Sequence, residues 1–196
     1  MSHAIDGDRD PGLVHAGGFG QFMFAVTRVG IGFVFLWAFL DKLFGLGKST
    51  KRQSAWVNGG SPTKGYLSSL EGTFADFFHD IAGKAWADWL FMIGLAGLGV
   101  ALIFGIGVAM IAGAGLRIAA VAGTILMLFM FMAEWPAATT IVDGKVVSGS
   151  TNPIVDSHWH EALLLIISAV TLAGDTWGLG KWWGNLNVVK NHRWLR

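Results

Sequence analysis

The stretch DSHWHEALLLIISAVTLAGD, Asp156 to Asp175, decides how the rest of the chain is read. Its length and apolarity are those of a membrane-spanning helix. Yet His158, His160 and Glu161 stand at its entrance and Asp175 at its exit. An ionisable group held at the wall of a bilayer is costly, and such groups usually mark a proton, ion or cofactor path. Glu161, Leu165, Ser168, Leu172 and Asp175 recur at alternating steps of four and three, which on a helix lays them along one stripe. That stripe is expected to face the inside of a bundle.

Working outward, three more segments have spanning length. They run from about Phe22 to Leu40, from about Trp89 to Ala112 and from about Leu116 to Ala133, and the last span covers about His158 to Ala173. Only Gly113, Ala114 and Gly115 separate the second span from the third, so those two must be antiparallel neighbours. Composition agrees. Of 196 residues 53% are hydrophobic and only 14% charged, too little charge for a soluble domain of this size. The fold expected is an all-α membrane protein, a single domain built as a four-transmembrane-helix bundle. Interfacial amphipathic helices are expected in the first loop and at the C-terminus. The N-terminal MSHAIDGDRDPGLVHAGG lacks the basic start of a signal peptide, so the first apolar segment reads as an uncleaved span. Both termini are placed in the cytoplasm of a prokaryotic cell, because the basic tail lies close to its span.

Two absences bound the chemistry. A net charge of +1 gives no reason to expect a nucleic-acid partner. Without cysteine there is no disulfide relay, no covalent c-type haem, no cysteine-held iron–sulfur cluster and no persulfide. Redox chemistry would then need a bound organic cofactor, a His/carboxylate metal site, haem b or a partner subunit.

In the second span Gly97, Ala101, Gly105 and Ala109 repeat every four residues, a small-residue ridge suited to close helix packing. The loop from residue 41 to 88 opens with turn residues. It continues through Leu67, Leu70, Phe74, Phe77, Phe78, Ile81 and Ala85, whose spacing predicts one or two amphipathic surface helices. TTIVDGKVVSGS predicts a β-hairpin turning at Asp143-Gly144. Trp177, Trp182, Trp183 and Trp194 with Lys181, Lys190, Arg193 and Arg196 form an interfacial anchor.

Four antiparallel spans bring Asp41, Lys42, Asp88, Glu134, Asp156, His158, His160 and Glu161 to one membrane face, beneath the long loop. Arg28, Arg117 and Asp175 lie at the other. Arg28 is the deepest charge. It reads as an ion pair with Asp175, or as a donor to a quinone carbonyl or an anion. His158 and His160 read as helix-start polar caps with Asp156 or Ser157 as N-cap, as part of a metal site with Glu161 and Glu134, or as proton-exchange groups. Haem b is disfavoured because both histidines lie on one helix. No full metal ligand set is readable, so no metal is assigned.

The chain resembles the DoxX/DoxD group of small prokaryotic membrane proteins. Arg28-Val29-Gly30-Ile31-Gly32 with Asp41-Lys42, the loop Trp56-Val57-Asn58-Gly59-Gly60-Ser61-Pro62-Thr63, and Ala133-Glu134 carry the resemblance, together with Asn152-Pro153 before Asp156 and His158. So does the tail, Gly178-Leu179-Gly180-Lys181-Trp182-Trp183 ending in Arg193-Trp194-Leu195-Arg196. It covers roughly Arg28 to the C-terminus. The resemblance implies a four-helix membrane bundle passing electrons from thiosulfate or a related sulfur donor to membrane quinone. The leading expectation is such a quinone-linked oxidoreductase subunit. His158, Glu161 and Glu134 would be catalytic, exchanging protons. Arg28 and Asp175 would bind the quinone, and Trp56, Asn58 and Ser61 would form the donor-side site. The partners expected are membrane lipid, quinone, and a second subunit, a larger respiratory complex or another copy of the chain. The alternatives are a non-catalytic accessory or scaffold subunit of a respiratory complex and, third, a small-molecule or ion carrier.

Overall fold

The computed structural model describes residues 18–96, 106–135, 140–142, 145–148, 152 and 154–196. Helix α1 (Gly18–Phe44) runs without a proline for 27 residues, a rise of about 40 Å, which exceeds the hydrocarbon thickness of a bilayer, about 30 Å. It stops at Gly45, whose positive φ of 66° suits a glycine and turns its N–H back to the Asp41 carbonyl.

The loop that follows makes two 3₁₀ turns, Arg52–Ser54 and Trp56–Asn58, and then helices α2 (Lys64–Leu67) and α3 (Ala75–Ile81). The predicted amphipathic pattern is realised in part: Leu67, Leu70 and Phe78 are buried with Ala133, but Phe74 and Phe77, named in the same pattern, face outward. The predicted second span is represented by α4 (Ala85–Ala96) and α5 (Ile106–Ala112). Between them, Gly97, Ala101 and Gly105 of the small-residue ridge lie outside the described residues. The N-terminal segment before residue 18 and the Asp143-Gly144 turn lie outside them too.

Helix α6 (Leu116–Ala133) has the predicted bounds of the third span. The two strands of the expected hairpin pair, β1 (Thr140–Val142) running antiparallel to β2 (Lys145–Ser148) with Val142 opposite Lys145. Helix α7 (Ser157–Val170) is shorter than the predicted fourth span. The chain then makes a 3₁₀ turn, Ala173–Asp175, and closes with α8 (Gly180–Gly184) and α9 (Asn187–Asn191). Apart from the short hairpin the described structure is helical, and α1 and α6 are long and apolar enough to cross a membrane.

Helix α6 packs along α7, α1 packs on α5 and α7, and α4 touches α1, α5 and α6. Where α1 crosses α5 the backbones nearly touch. A Cβ on Gly32 would lie 2.8 Å from the Met110 Cβ and 2.9 Å from the Gly107 carbonyl oxygen. This close approach is made by Gly32 and Gly107, which the predicted ridge did not include.

The outer surface is apolar on every long helix. Phe33 of α1 is 53% exposed, Leu90 of α4 65%, Val121 of α6 63% and Leu163 of α7 50%. Arg28 and Asp41, in contrast, are fully buried. Water-soluble monomers rarely carry apolar patches this extensive.

Candidate functional site

Arg28 is enclosed where α1 meets the α5–α6 turn and the chain after α7. Its Nη1 donates to the Met110 carbonyl and, at 2.7 Å, to that of Ile111; its Nη2 donates to the Trp177 carbonyl at 2.9 Å. Met110 and Ile111 lie in the last turn of α5, where carbonyls lack helical partners and the helix dipole is negative. The expected ion pair with Asp175 does not form. Asp175 instead meets Arg196, 3.1 Å away. The reason is that α7 ends at Val170, so Asp175 never continues the helical stripe that sequence periodicity placed it on. Of that stripe Leu165 and Ser168 are buried as expected, and the Ser168 hydroxyl is satisfied within the helix by the Leu164 carbonyl.

At the opposite end the acids expected to form one cluster are parcelled into three groups. Asp41 accepts hydrogen bonds from the Lys48 N–H, the Ser49 N–H and the Ser49 hydroxyl. Asp88 accepts from the Ser61 hydroxyl at 2.8 Å, the Thr63 N–H at 3.0 Å and the Thr63 hydroxyl at 2.6 Å. Both carboxylates therefore pin the loop to the helix ends. Asn58 donates to the Arg52 carbonyl, and Trp56 meets Trp89 edge-to-face at 4.7 Å. The loop residues Trp56, Asn58 and Ser61 thus take part in holding the loop.

The third group is chemically distinct. Asp156 is the N-cap of α7. One of its oxygens accepts the His158 N–H and the other lies 2.6 Å from His158 Nδ1. His160 Nδ1 reaches the Asp156 carbonyl. Glu134, just past the end of α6, joins from the neighbouring helix: one potential ligand atom each from Glu134, Asp156 and His158 lies within 4.8 Å of the others. The Tyr66 hydroxyl then donates to Glu134 Oε1 at 2.7 Å. Burial, and next the hydrogen bond to and negative charge of Glu134, push the Tyr66 phenol above its ordinary range, so it stays protonated. Glu161 is half-buried one turn into α7 and has no hydrogen-bond partner among the described residues.

Tyr66 was missed by sequence reasoning. The available signal was that it is the only tyrosine of the chain, sitting at the start of the amphipathic run in the loop expected to cover the face that carries Glu134.

Tyr66 also lines a groove of about 1640 Å³. The groove lies between α4 and α6 and runs the length of α6, from Gly115 through Ala122 to Ala133. Leu90, Phe91 and Gly94 of α4 face it. Its loop end is polar, with Ser61, Thr63, Lys64 and Lys42 beside Tyr66; its far end meets Trp182 and Trp183. Among the described lining residues there is no carboxylate. Neither Arg28 nor Asp175 borders it.

Glu134, Asp156 and His158 have the donor types of a divalent-cation site, but both Asp156 oxygens and His158 Nδ1 are already engaged with one another. The arrangement suits proton transfer: a phenol, two carboxylates and an imidazole in sequence, with the phenol in the wall of an apolar groove. Comparison of the chain with family models, curated proteins and solved structures finds no match.

Proposed function

We propose that this chain is a multi-pass membrane protein that binds a quinone in the groove beside α6 and exchanges its protons through Tyr66. In this reading α1, α4 with α5, α6 and α7 make four crossings of a prokaryotic plasma membrane, with both termini in the cytoplasm. The outward apolar faces of these helices support the membrane setting. The observation that carries the site is Tyr66, shared between the groove and the Glu134–Asp156–His158 group.

Reducing a quinone to a quinol takes two electrons and two protons. The electrons come from a small reductant, a sulfur compound of the thiosulfate type if the DoxX/DoxD resemblance holds, oxidised by two electrons in the same turnover. The protons come from the loop-side surface. A protonated Glu134 passes its proton to the Tyr66 oxygen as Tyr66 hands its own to the quinone oxygen. Asp156, His158 and the half-buried Glu161 then reprotonate Glu134. Quinol oxidation runs the same path in reverse.

The test is quinone reduction by purified protein in lipid nanodiscs with thiosulfate, sulfite or sulfide as donor. Retained quinone and turnover support the reading. Tyr66→Phe should keep quinone binding while lowering turnover about a hundredfold, the ordinary size of a general acid–base contribution. No turnover with any donor and no quinone on extraction would sink it.

A second reading, an accessory subunit of a respiratory complex, is favoured by the structural engagement of Arg28, Asp41, Asp88 and Asn58. It predicts a stoichiometric complex on mild extraction whose activity survives His158→Ala and Glu134→Gln.

A further inference from the structure

The loop end of the groove carries charge that the proton path leaves idle. From Lys42 to Leu70 the chain holds Lys42, Lys48, Lys51, Arg52 and Lys64 and no acid. Lys42, Lys51 and Lys64 border the mouth of the groove, and no carboxylate borders it among the described residues. The nearest acids are engaged elsewhere: Asp41 is buried against Lys48 and Ser49, and Asp88 against Ser61 and Thr63. Those bonds also occupy the Ser61 and Thr63 hydroxyls, as Glu134 occupies that of Tyr66. Recognition at this end therefore falls to the ammonium groups.

Two of the three lysines are placed by their surroundings. Lys42 Nζ stands 5.9 Å from the ring centroid of Phe91, a residue of the groove wall, and its one hydrogen bond, to the Ser49 hydroxyl, is long at 3.4 Å. The methylene stem of Lys64 lies against Gly83, where a Cβ would come within 3.2 Å of the Lys64 Cδ. Among the described residues neither Lys51 nor Lys64 pairs its ammonium with a carboxylate. Cations gathered at one mouth without a counter-charge are complementary to an anion.

Behind the mouth the groove is apolar and opens sideways. Leu90 of α4 and Ile125 and Phe129 of α6 line it and are at least half exposed. In a membrane that opening faces acyl chains. Trp86, in the first turn of α4, is exposed and borders the same end as the lysines. Indoles settle at the level of lipid headgroups. The volume, about 1640 Å³, exceeds the roughly 300–1,000 Å³ of pockets that enclose small ligands.

We propose that this groove binds an anionic phospholipid, its phosphate held among Lys42, Lys51 and Lys64 and its acyl chains laid between α4 and α6. This rests on the membrane setting proposed above and not on the quinone. The chains contribute affinity through apolar burial. The headgroup contributes selection, because a zwitterionic lipid would set its own cation among the lysines. Ala122 lies about 16 Å along α6 from Ala133. That is about the depth of one leaflet, half of a core about 30 Å thick. Ala122 is exposed to the groove, so a large side chain there obstructs the chains without entering the core.

The experiment is native mass spectrometry of the full chain in detergent, titrated without added quinone with phosphatidylglycerol and with phosphatidylcholine of identical acyl chains. Phosphatidylglycerol should bind at least about tenfold more tightly, which corresponds to about 1.4 kcal/mol. Lys51→Gln combined with Lys64→Gln should bring it down to the level of phosphatidylcholine. Lys51→Arg with Lys64→Arg should preserve the preference, as should Lys181→Gln with Lys190→Gln in the tail. Ala122→Trp, folded by circular dichroism, should weaken both lipids severalfold, and millimolar glycerol phosphate should displace neither. Equal binding of the two lipids, or binding of neither, overturns the inference. So does a preference abolished by the tail variants and kept by the loop variants. Displacement by glycerol phosphate assigns the mouth to a soluble anion and overturns it too. Undiminished binding to folded Ala122→Trp puts the lipid outside the groove, with the same result. Each of these outcomes leaves the quinone reading to its own turnover test, and failure of that test leaves the lipid site standing.

Discussion

Tyr66 gives the sharpest expectation at the scale of one residue. It is the only tyrosine, so phenolate absorbance reports on it alone. A tyrosine in water titrates near pH 10. Here burial and Glu134 hold the proton more tightly. Above about pH 10 the unfolded chain loses a proton that the folded chain keeps, so stability should fall as pH rises through that window. The expected result is no phenolate signal in the folded protein at a pH where the denatured protein is ionised. Glu134→Gln should bring the titration down by removing the charge. A normal tyrosine titration in the folded wild type would contradict the buried hydrogen bond.

Arg28 makes the complementary case. Its guanidinium reaches carbonyls on two separated segments, the end of α5 and Trp177. One ammonium cannot span them, so Arg28→Lys should lower stability by roughly 3 kcal/mol, about the value of one or two charge-assisted hydrogen bonds. Thermal unfolding in detergent checks this. Asp175→Asn, which removes only the exposed pair with Arg196, should change stability by less than about 1 kcal/mol. The sequence showed that Arg28 was buried but not what it meets. Backbone carbonyls have no side-chain signature, and the obvious acid was drawn onto a helix that ends before reaching it.

Elements were more legible than partners. Helix α6 and the hairpin follow directly from an uninterrupted apolar run and from alternation around Asp143-Gly144. The loop helices follow from the spacing of Leu67, Leu70 and Phe78. What the pattern could not supply was how the acids divide. Asp41, Asp88 and Glu134 all sit at helix ends on one face, yet each takes the nearest donors in the folded loop, and those donors are side-chain hydroxyls as well as backbone N–H groups. The loop is consequently stitched at each of these three acids. Asp88→Ala would leave the buried Thr63 N–H without its acceptor, costing about 1–3 kcal/mol locally. Amide exchange should accelerate from Ser61 to Lys64 while α6 and α7 keep their protection, since local openings are independent of global unfolding. If exchange rises equally everywhere, the loop is not a separate unit.

At the scale of the whole molecule, low charge and high apolarity led to the expectation of a membrane protein, and α1 and α6, long and apolar enough to cross a membrane, are consistent with it, as are the apolar outer faces of α4 and α7. The decisive geometry is that the loop and the tail occupy opposite ends of one helix. Thr73 donates to the Trp135 carbonyl just beyond the end of α6, and Arg117, at its start, reaches the Arg193 carbonyl in the tail. Those ends are about 27 Å apart over 18 residues, close to the thickness of a bilayer core. A membrane around α6 must therefore put loop and tail on opposite sides. The absence of cysteine makes this measurable without a background to remove. Glu71→Cys in the loop and Asn191→Cys in the tail are both at exposed positions. With the termini in the cytoplasm, an impermeant maleimide should label Glu71→Cys in intact cells and Asn191→Cys only after permeabilisation. The reverse result would invert the orientation and leave the bundle intact. Labelling of both from the same side would show that α6 does not cross, and the quinone path along it would lose its membrane.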